Sequence, residues 1–358
     1  MGDLAGRHTS EAEHVFRQAY DPSPDFKSVA LTPPSSEWSG DSEWGAWYSR
    51  RNHACRTFIG ASVCGIESDM WAMARALIRP WHTVLEHGAR YGTTSCVLSE
   101  ATNNSGRVVS VEPDTQVHAS LYANRQSHLC NFGIFRGTVG RMPQMFVAPA
   151  QGRNVSYEQR TRDAAGASAS NASGAAIAHL GFEALERLTR LRFNALVIDC
   201  EGCLEDVLTS HLLDRTDPPL ELILLEMDVL RKVNYAGWHH RLTAHGFTRI
   251  WRLEDSLFGT RAPQHAAYHR GSAGGAPPPT CHEYALRQRH WPRCRHEVKR
   301  DRDALVCGSR LTCLNPQLSN GTRDRFWVKY HRKKVLLAGM NSTLRAAKWA
   351  PTRRPQAA

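Results

Sequence analysis

The stretch VIDCEGCLEDVL, residues 197–208, joins an apolar strand pattern to two carboxylates. Asp199 and Glu201 stand two positions apart, and alternation along a strand would place their side chains on the same side. Cys200 and Cys203 overlap them with Cys-x-x-Cys spacing. The pattern is compatible with a redox pair, a metal site or two carboxylates at the end of a strand.

Strand-like and helix-like segments alternate on both sides of this stretch. The strand-like segments are HTVLEHG at 82–88, GRVVSVEPD at 106–114, FGIFRG at 132–137, FNALVIDCEG at 193–202, LELILLEMD at 220–228 and FTRIWRL at 247–253. The segments with helical apolar spacing are 66–79, 93–102, 115–126, 182–191, 204–213 and 238–246. Such alternation is typical of βα units and predicts an α/β fold around a parallel sheet.

The composition divides the chain into three parts. Residues 1–65 are predicted to be an irregular leader, and 66–256 the folded domain. Residues 148–178 are rich in Ala, Gly and Ser and read as a low-complexity insertion. Residues 257–358 are predicted to be a linker and a basic, Cys-rich tail, with a last strand at 324–331 that would return to the sheet.

Basic charge is concentrated in the tail. Residues 281–358 hold 18 Lys and Arg against 5 Asp and Glu, so the preceding part is near −2 although the whole chain carries +11. Such a tail can attract nucleic acid or an anionic surface. We favour a solvated end, because runs of like charge are commonly solvated and disordered.

The chain is expected to be soluble and to have no membrane partner. It has no apolar run long enough to cross a bilayer, and its first residues contain no apolar signal-peptide core. A cytoplasmic location is the default expectation. Ten cysteines and several Asn-x-Ser/Thr sequons keep the secretory pathway as an alternative if further residues precede Met1.

Glycines and acids mark a candidate ligand site. A strand ends at Glu86, and Gly88 and Gly92 make a tight turn into a helix. Glu112 ends the next strand, where a carboxylate can bind ribose hydroxyls. The glycine spacing differs from the G-x-G-x-x-G turn that receives a pyrophosphate, which favours S-adenosylmethionine (SAM), a ribose-containing cofactor without phosphate.

These motifs resemble those of the FkbM-like family of SAM-dependent methyltransferases. EHGARYG resembles its first motif, VSVEPD its second, and VIDCEGCLEDVL its most distinctive one. Glu226 and the Gly246-Phe247 pair match two later positions, and the order and spacing agree over residues 80–255. Glu86 replaces an Asp of the family pattern, Arg90 an Asn and Val197 a Lys.

The resemblance implies a Rossmann-like methyltransferase fold with a mostly parallel seven-stranded sheet and helices on both faces. It implies that Glu86, Gly88 and Gly92 hold the methionine part of SAM and that Glu112 binds its ribose. The adenine would lie near Thr138. The expected catalytic carboxylates, which would orient or deprotonate an acceptor hydroxyl, are Asp199, Glu201 and Glu226. The expected reaction is O-methylation of a small molecule or sugar.

Alternatives remain at each of these positions. Asp199 and Glu201 would also suit the amino end of a helix, and the glycines would also suit a plain turn. Alternation sends Cys200 away from the acids, so both cysteines are predicted to be packing residues. We favour a site without metal, and a divalent ion held by Asp199, Glu201 and Glu226 is the alternative, because oxygen ligands suit magnesium. At the level of function, the alternatives are a nucleic-acid methyltransferase guided by the basic tail and a non-catalytic binding protein of the same fold.

Overall fold

A sheet of ten strands runs through the described part of the computed structural model. The structure describes residues 2–24, 55, 57–60, 68–147, 160–163, 177–200, 202–227, 233–254, 263–271, 299–301 and 304–308. The helices are α1 Gly2–Ala19, α2 Ser68–Leu77, α3 Thr93–Ala101, α4 His118–Ser127, α5 Phe182–Thr189, α6 Leu204–Val207, α7 Ser210–Asp214 and α8 Tyr235–Ala244. The strands are β1 Tyr20–Asp21, β2 Val84–His87, β3 Val108–Val111, β4 Gly133–Phe135, β5 Thr138–Val139, β6 Gln144–Val147, β7 Arg160–Asp163, β8 His179–Leu180, β9 Ala195–Ile198, β10 Leu222–Glu226, β11 Thr248–Glu254, β12 Pro263–His269, β13 Lys299–Asp301 and β14 Ala304–Gly308.

The strand order is β1-β4-β3-β2-β9-β10-β12-β11-β14-β13. The five strands from β4 to β10 are parallel to one another. The chain winds outward from β2 to β4 and then returns to place β9 on the other side of β2, which makes the β2–β9 boundary the topological switch point of a doubly wound sheet. β12 lies between β10 and β11 and is antiparallel to both.

The two faces of this sheet carry different helices. Leu85, Leu196 and Ile198 belong to a buried cluster that also contains side chains of α5, α6, α7 and α8. Glu86, next to Leu85, points to the opposite face, where Ser95 of α3 donates a hydrogen bond to it. The Rossmann-like α/β fold predicted from the sequence, mostly parallel with helices on both faces, is therefore confirmed. The described sheet has ten strands, where seven were predicted.

The leader contains regular structure that the sequence analysis missed. α1 places Ala12, Val15, Phe16 and Ala19 at helical spacing, and these residues pack against the core cluster. β1 follows directly, pairs antiparallel with β4 and forms one edge of the described sheet. The helical spacing of apolar residues in 12–19 could have predicted α1. The whole leader was instead predicted to be irregular because its later part is rich in proline.

The structure also extends the sheet beyond residue 256, the end predicted for the folded domain. β12 supplies the antiparallel strand from a segment assigned to the tail, and β14 pairs in parallel with β11. The strand suggested at 324–331 lies outside the described residues, as does most of the Cys-rich tail. Within the insertion, residues 160–163 form β7, which pairs with β6.

Among the described residues, no helix combines the length and the apolar character needed to cross a membrane.

Candidate functional site

Four neighbouring parallel strands end at one edge of the sheet. β3, β2, β9 and β10 lie side by side and run in the same direction. In these four strands, the acids in the last two positions or directly after the strand are Glu86, Glu112, Asp199 and Glu226. Ligands of doubly wound sheets bind outside the carboxyl ends of the strands, so these acids border the expected crevice.

Glu86 is a buried carboxyl group on β2, with 1% of its surface exposed. Its Oε2 accepts hydrogen bonds from the Ser95 hydroxyl at 2.5 Å and the Ser110 hydroxyl at 2.6 Å. Its Oε1 is buried and has no hydrogen-bond partner among the residues that the structure describes. Val197, at the position where the FkbM-like motif has a lysine, lies directly beside Glu86 in the sheet register and offers no charge.

Burial raises the pKa of Glu86 to about 7, because removal from water disfavours the charged carboxylate more than the Ser110 and Ser95 hydroxyl bonds favour it. The nearby Glu112 raises the pKa further. A cation placed beside Oε1 would reverse this balance and favour the ionised form. The position therefore suits a positively charged group of a ligand.

Glu112 follows the last residue of β3 and is 5% exposed. Its Oε2 accepts from the backbone N–H of Arg90 at 2.6 Å, and its Oε1 accepts from the backbone N–H of Asp114 at 2.7 Å. Burial raises its pKa to about 7 in spite of these two bonds. Each carboxyl oxygen has a further lone pair, so the group can also accept from ligand hydroxyls.

The turn after β2 touches the end of β9. Gly88 has φ +93, and a Cβ built on it would lie 1.7 Å from the Asp199 carbonyl oxygen. The Asp199 backbone N–H also donates to the His87 carbonyl at 3.0 Å. A glycine is therefore required at position 88 by both backbone conformation and space. This contact holds the turn after β2, which is predicted to bind the cofactor, against Asp199, which is predicted to be catalytic.

The same turn continues through two more residues with left-handed backbone. Arg90 has φ +47, and Gly92, which precedes the first residue of α3, has φ +79. Asn adopts this conformation more readily than most residues, so the family's Asn at the position of Arg90 fits this backbone. Both glycines thus shape a tight strand-to-helix turn, and their contact with cofactor stays a prediction.

Thr138 lies in β5, which pairs with β8 in a separate two-stranded sheet. Its hydroxyl lies 3.1 Å from Nδ1 of His179, and its backbone N–H donates to the Ala178 carbonyl. Burial lowers the pKa of His179. Thr138 is thus held by β8, and its place beside an adenine ring stays a prediction.

The three predicted catalytic carboxylates differ in what the structure describes. Asp199 is half-buried directly after β9. Glu226 is the last residue of β10, with 23% of its side chain exposed. Glu201 lies outside the described residues. Extension of the β9–β10 register brings Asp199 level with Glu226, since Ile198 pairs with Leu225.

Two buried histidines also lie at this end of the strands, His87 on β2 and His265 on β12. His87 is 3% exposed, and burial lowers its pKa to about 3, so it is uncharged at neutral pH. His265 on β12 lies opposite Glu226, with Nε2 3.8 Å from Oε1 of Glu226. The sequence gives no signal for His265, because only the insertion of β12 beside β10 brings it there.

Cys200 and Cys203 were predicted to be packing residues, and both pack against the core cluster. They also form a disulfide with each other, which was not predicted. The two sulfurs meet because the strand ends at Ile198 and the chain turns at Gly202, which has φ +109. A second disulfide joins the buried Cys96 of α3 to Cys130.

No group of three or more His, Cys, Asp or Glu side chains that could hold a metal ion is found within the described ranges. Glu201 and all late cysteines except Cys307 lie outside those ranges.

Comparison with known proteins gives structural likenesses only. No family model matches the chain, and no curated protein matches it. The O-methyltransferase TomG from Streptomyces achromogenes, in complex with SAM, aligns with 13% sequence identity over 64% of this chain and 96% of its own, with a TM-score of 0.35. A precorrin-6y C5,15-methyltransferase from Geobacter metallireducens aligns with 13% identity over 61% of this chain and 92% of its own, with a TM-score of 0.33.

Fibrillarin from Aeropyrum pernix, also with bound SAM, aligns with 13% identity over 56% of this chain and 74% of its own, with a TM-score of 0.34. Likenesses at this level carry no argument about activity. The fold assignment rests on the strand order described above.

Proposed function

We propose that this chain is a SAM-dependent methyltransferase that methylates a hydroxyl group of a small molecule or sugar. The observation that carries the proposal is the pair of buried carboxyl groups, Glu86 and Glu112, on adjacent strands beside the topological switch point. One oxygen of Glu86 has no hydrogen-bond partner within the described part of the chain, which is unusual for a buried polar atom and suggests that a ligand group binds there.

The residues fit SAM in three respects. The ammonium group of its methionine part would satisfy the unpartnered Oε1 of Glu86. Glu112, already fixed by two backbone N–H groups, would accept from the ribose hydroxyls. The turn at Gly88 leaves no space for a side chain, so it allows close approach of the backbone at the strand end.

When bound, SAM supplies an electrophilic methyl group. The protein's part is to bind the acceptor in line with that methyl, exclude water and take up the hydroxyl proton. Asp199 and Glu201, which follow β9 in the sequence, and Glu226, the last residue of β10, are proposed for the last role. A positioned carboxylate base contributes roughly a hundredfold or more to such a step.

The preference for a hydroxyl acceptor is supported by the motif resemblance to the FkbM-like family. VIDCEG places Asp199 and Glu201 as that family's motif does, and Glu226 matches its fifth strand. Asp199 and Glu226, the two of these carboxylates that the structure describes, lie at the ends of adjacent strands, where a carboxylate could remove the hydroxyl proton.

The experiment is calorimetric binding of SAM and of its demethylated product to the full chain. We expect micromolar binding to the wild type and a loss of about tenfold or more in Glu112→Ala, because the ribose hydroxyls lose their acceptor. Glu183→Ala is the matched control, since that glutamate is 68% exposed on α5. Thermal unfolding of each variant checks that the fold is retained.

Binding would justify a screen of hydroxylated sugars with methyl-labelled SAM. Failure of the well-folded wild type to bind either compound would contradict the proposal and direct attention to the basic tail and its partners.

A further inference from the structure

Glu226 and His265 form a pair across two strands at the edge where the candidate site lies. They are directly opposite each other in the antiparallel β10–β12 register, so their side chains are on the same face of the sheet. Nε2 of His265 lies 3.8 Å from Oε1 of Glu226. This distance exceeds a hydrogen bond, as catalytic contacts often do before substrate is bound.

The two members of the pair differ in access to solvent. The Glu226 side chain is 23% exposed, and the His265 side chain is only 4% exposed. The carboxylate therefore has access to solvent at the carboxyl ends of the strands, whereas the imidazole is almost fully enclosed. Nδ1 of His265 is buried, and no described residue forms a hydrogen bond with it.

The surroundings determine how the imidazole is protonated. Burial lowers the pKa of His265 to about 4, so the ring is neutral at neutral pH and has a single N–H. With the proton on Nε2, the ring donates toward the Glu226 carboxylate and leaves only a lone pair unpaired at Nδ1. The other tautomer would bury an unpaired N–H and turn a lone pair toward a carboxylate oxygen, which is electrostatically unfavourable.

We propose that His265 is a positioning residue for methyl transfer, whose Nε2–H holds the Glu226 carboxylate toward the acceptor hydroxyl. The inference rests on the proposed function and assigns the proton-accepting role to Glu226. In the step, the acceptor oxygen forms a bond to the methyl carbon as the bond from that carbon to sulfur breaks, and its electron pair stays on sulfur. The hydroxyl proton passes to Glu226 and from its exposed side to water.

A similar histidine–glutamate pair at the other ends of the strands provides a matched control. His82 is 4% exposed, and its Nε2 lies 3.6 Å from Oε2 of Glu221. Glu221 directly precedes β10 and His82 lies just before β2, so this pair is at the amino ends of the strands. Both pairs join Nε2 of a nearly buried imidazole to a carboxylate. They differ in that Nδ1 of His82 accepts from the Arg79 backbone N–H at 3.0 Å and in that this pair lies away from the carboxyl ends of the strands.

The first test needs no acceptor. In the nitrogen NMR spectrum of the histidine-labelled full chain, with His265 assigned through His265→Gln, we expect a neutral ring protonated at Nε2 at neutral pH. Glu226→Gln should shift the His265 Nε2 signal and leave that of His82 unchanged. A ring protonated at Nδ1, or a signal indifferent to Glu226→Gln, would overturn the pairing.

The second test separates positioning from folding. With labelled SAM and methylated sugars from the acceptor screen, His265→Phe should lower kcat by roughly tenfold to a hundredfold while SAM binding stays unchanged. His265→Gln, which restores an N–H near the Nε2 position, should recover much of that loss. His82→Phe should leave kcat unchanged.

An equal loss in the Phe and Gln variants, or a parallel loss of SAM affinity, would show that His265 is only structural. If the folded wild type does not bind SAM, the proposed function fails and the role of His265 in proton removal fails with it. In that case the NMR result still decides whether the pair forms.

Discussion

At the scale of single residues, the two buried glutamates have similarly raised pKa values for the same physical reason. Glu86 and Glu112 each have a pKa raised to about 7, because burial outweighs the hydrogen bonds that they accept. Both could be named from the sequence, because an acid at the end of a strand is visible there. His265 could not, because its importance comes from the residue opposite it, and that depends on the strand order.

The raised pKa of Glu86 makes stability depend on pH. The folded protein keeps a proton that the unfolded chain loses above its ordinary pKa of 4.5. The stabilisation is therefore complete below that value and is lost as the pH rises to about 7 and beyond. We expect the free energy of unfolding to fall over this range and Glu86→Gln to remove part of that fall, on the order of 3 kcal/mol.

The check is urea unfolding of the wild type and Glu86→Gln at a series of pH values. The glutamine oxygen can still accept from Ser95 and Ser110, so the variant should fold. Glu183→Gln on the surface is the control and should follow the wild-type curve. A Glu86→Gln curve parallel to that of the wild type would contradict the prediction.

At the scale of helices and strands, the sequence predicts the alternating part of the fold well. The segments around β2, β3, β4, β9, β10 and β11 were all expected as strands, and they are strands. β12 was missed because PQHAAYH has no β-branched residue and begins with proline. It forms a strand because β10 and β11 pair with it on both sides, which a local pattern cannot show.

The turn between β2 and α3 gives a prediction at this scale. Gly88→Ala would place a methyl group 1.7 Å from the Asp199 carbonyl oxygen at a φ of +93. The turn and the end of β9 must then separate, and we expect a loss of about 2 kcal/mol or more in unfolding free energy, with weaker SAM binding.

Gly271→Ala is the control, because a Cβ there meets nothing within 4 Å. Chemical denaturation of the two variants measures the difference. Equal stability of both variants would show that the contact between Gly88 and Asp199 is relaxed in solution.

At the scale of the whole molecule, the disulfide between Cys96 and Cys130 joins α3 to the segment before β4. It spans 34 positions, and both cysteines are buried. A cross-link of this span stabilises a folded chain by about 3–4 kcal/mol. The disulfide between Cys200 and Cys203 spans only 3 positions and restricts the unfolded chain much less.

We therefore expect the double variant Cys96→Ala/Cys130→Ala to unfold at clearly lower temperature than the wild type. The unfolding temperature of the Cys200→Ala/Cys203→Ala variant should fall much less. Thermal unfolding monitored by circular dichroism ranks the two. The reverse ranking would contradict the assignment of the longer cross-link as the stabilising one.

The position of β12 has a consequence for how the protein is made. β12 follows β11 in the chain but lies between β10 and β11 in the sheet. During synthesis from the amino end, both neighbours emerge before the strand that joins them. Until residues 263–269 are available, β10 and β11 each present an unpaired edge, which is the feature that promotes aggregation of nascent chains. β12 can therefore complete this part of the sheet, and bring His265 next to Glu226, only late in the assembly of the candidate site.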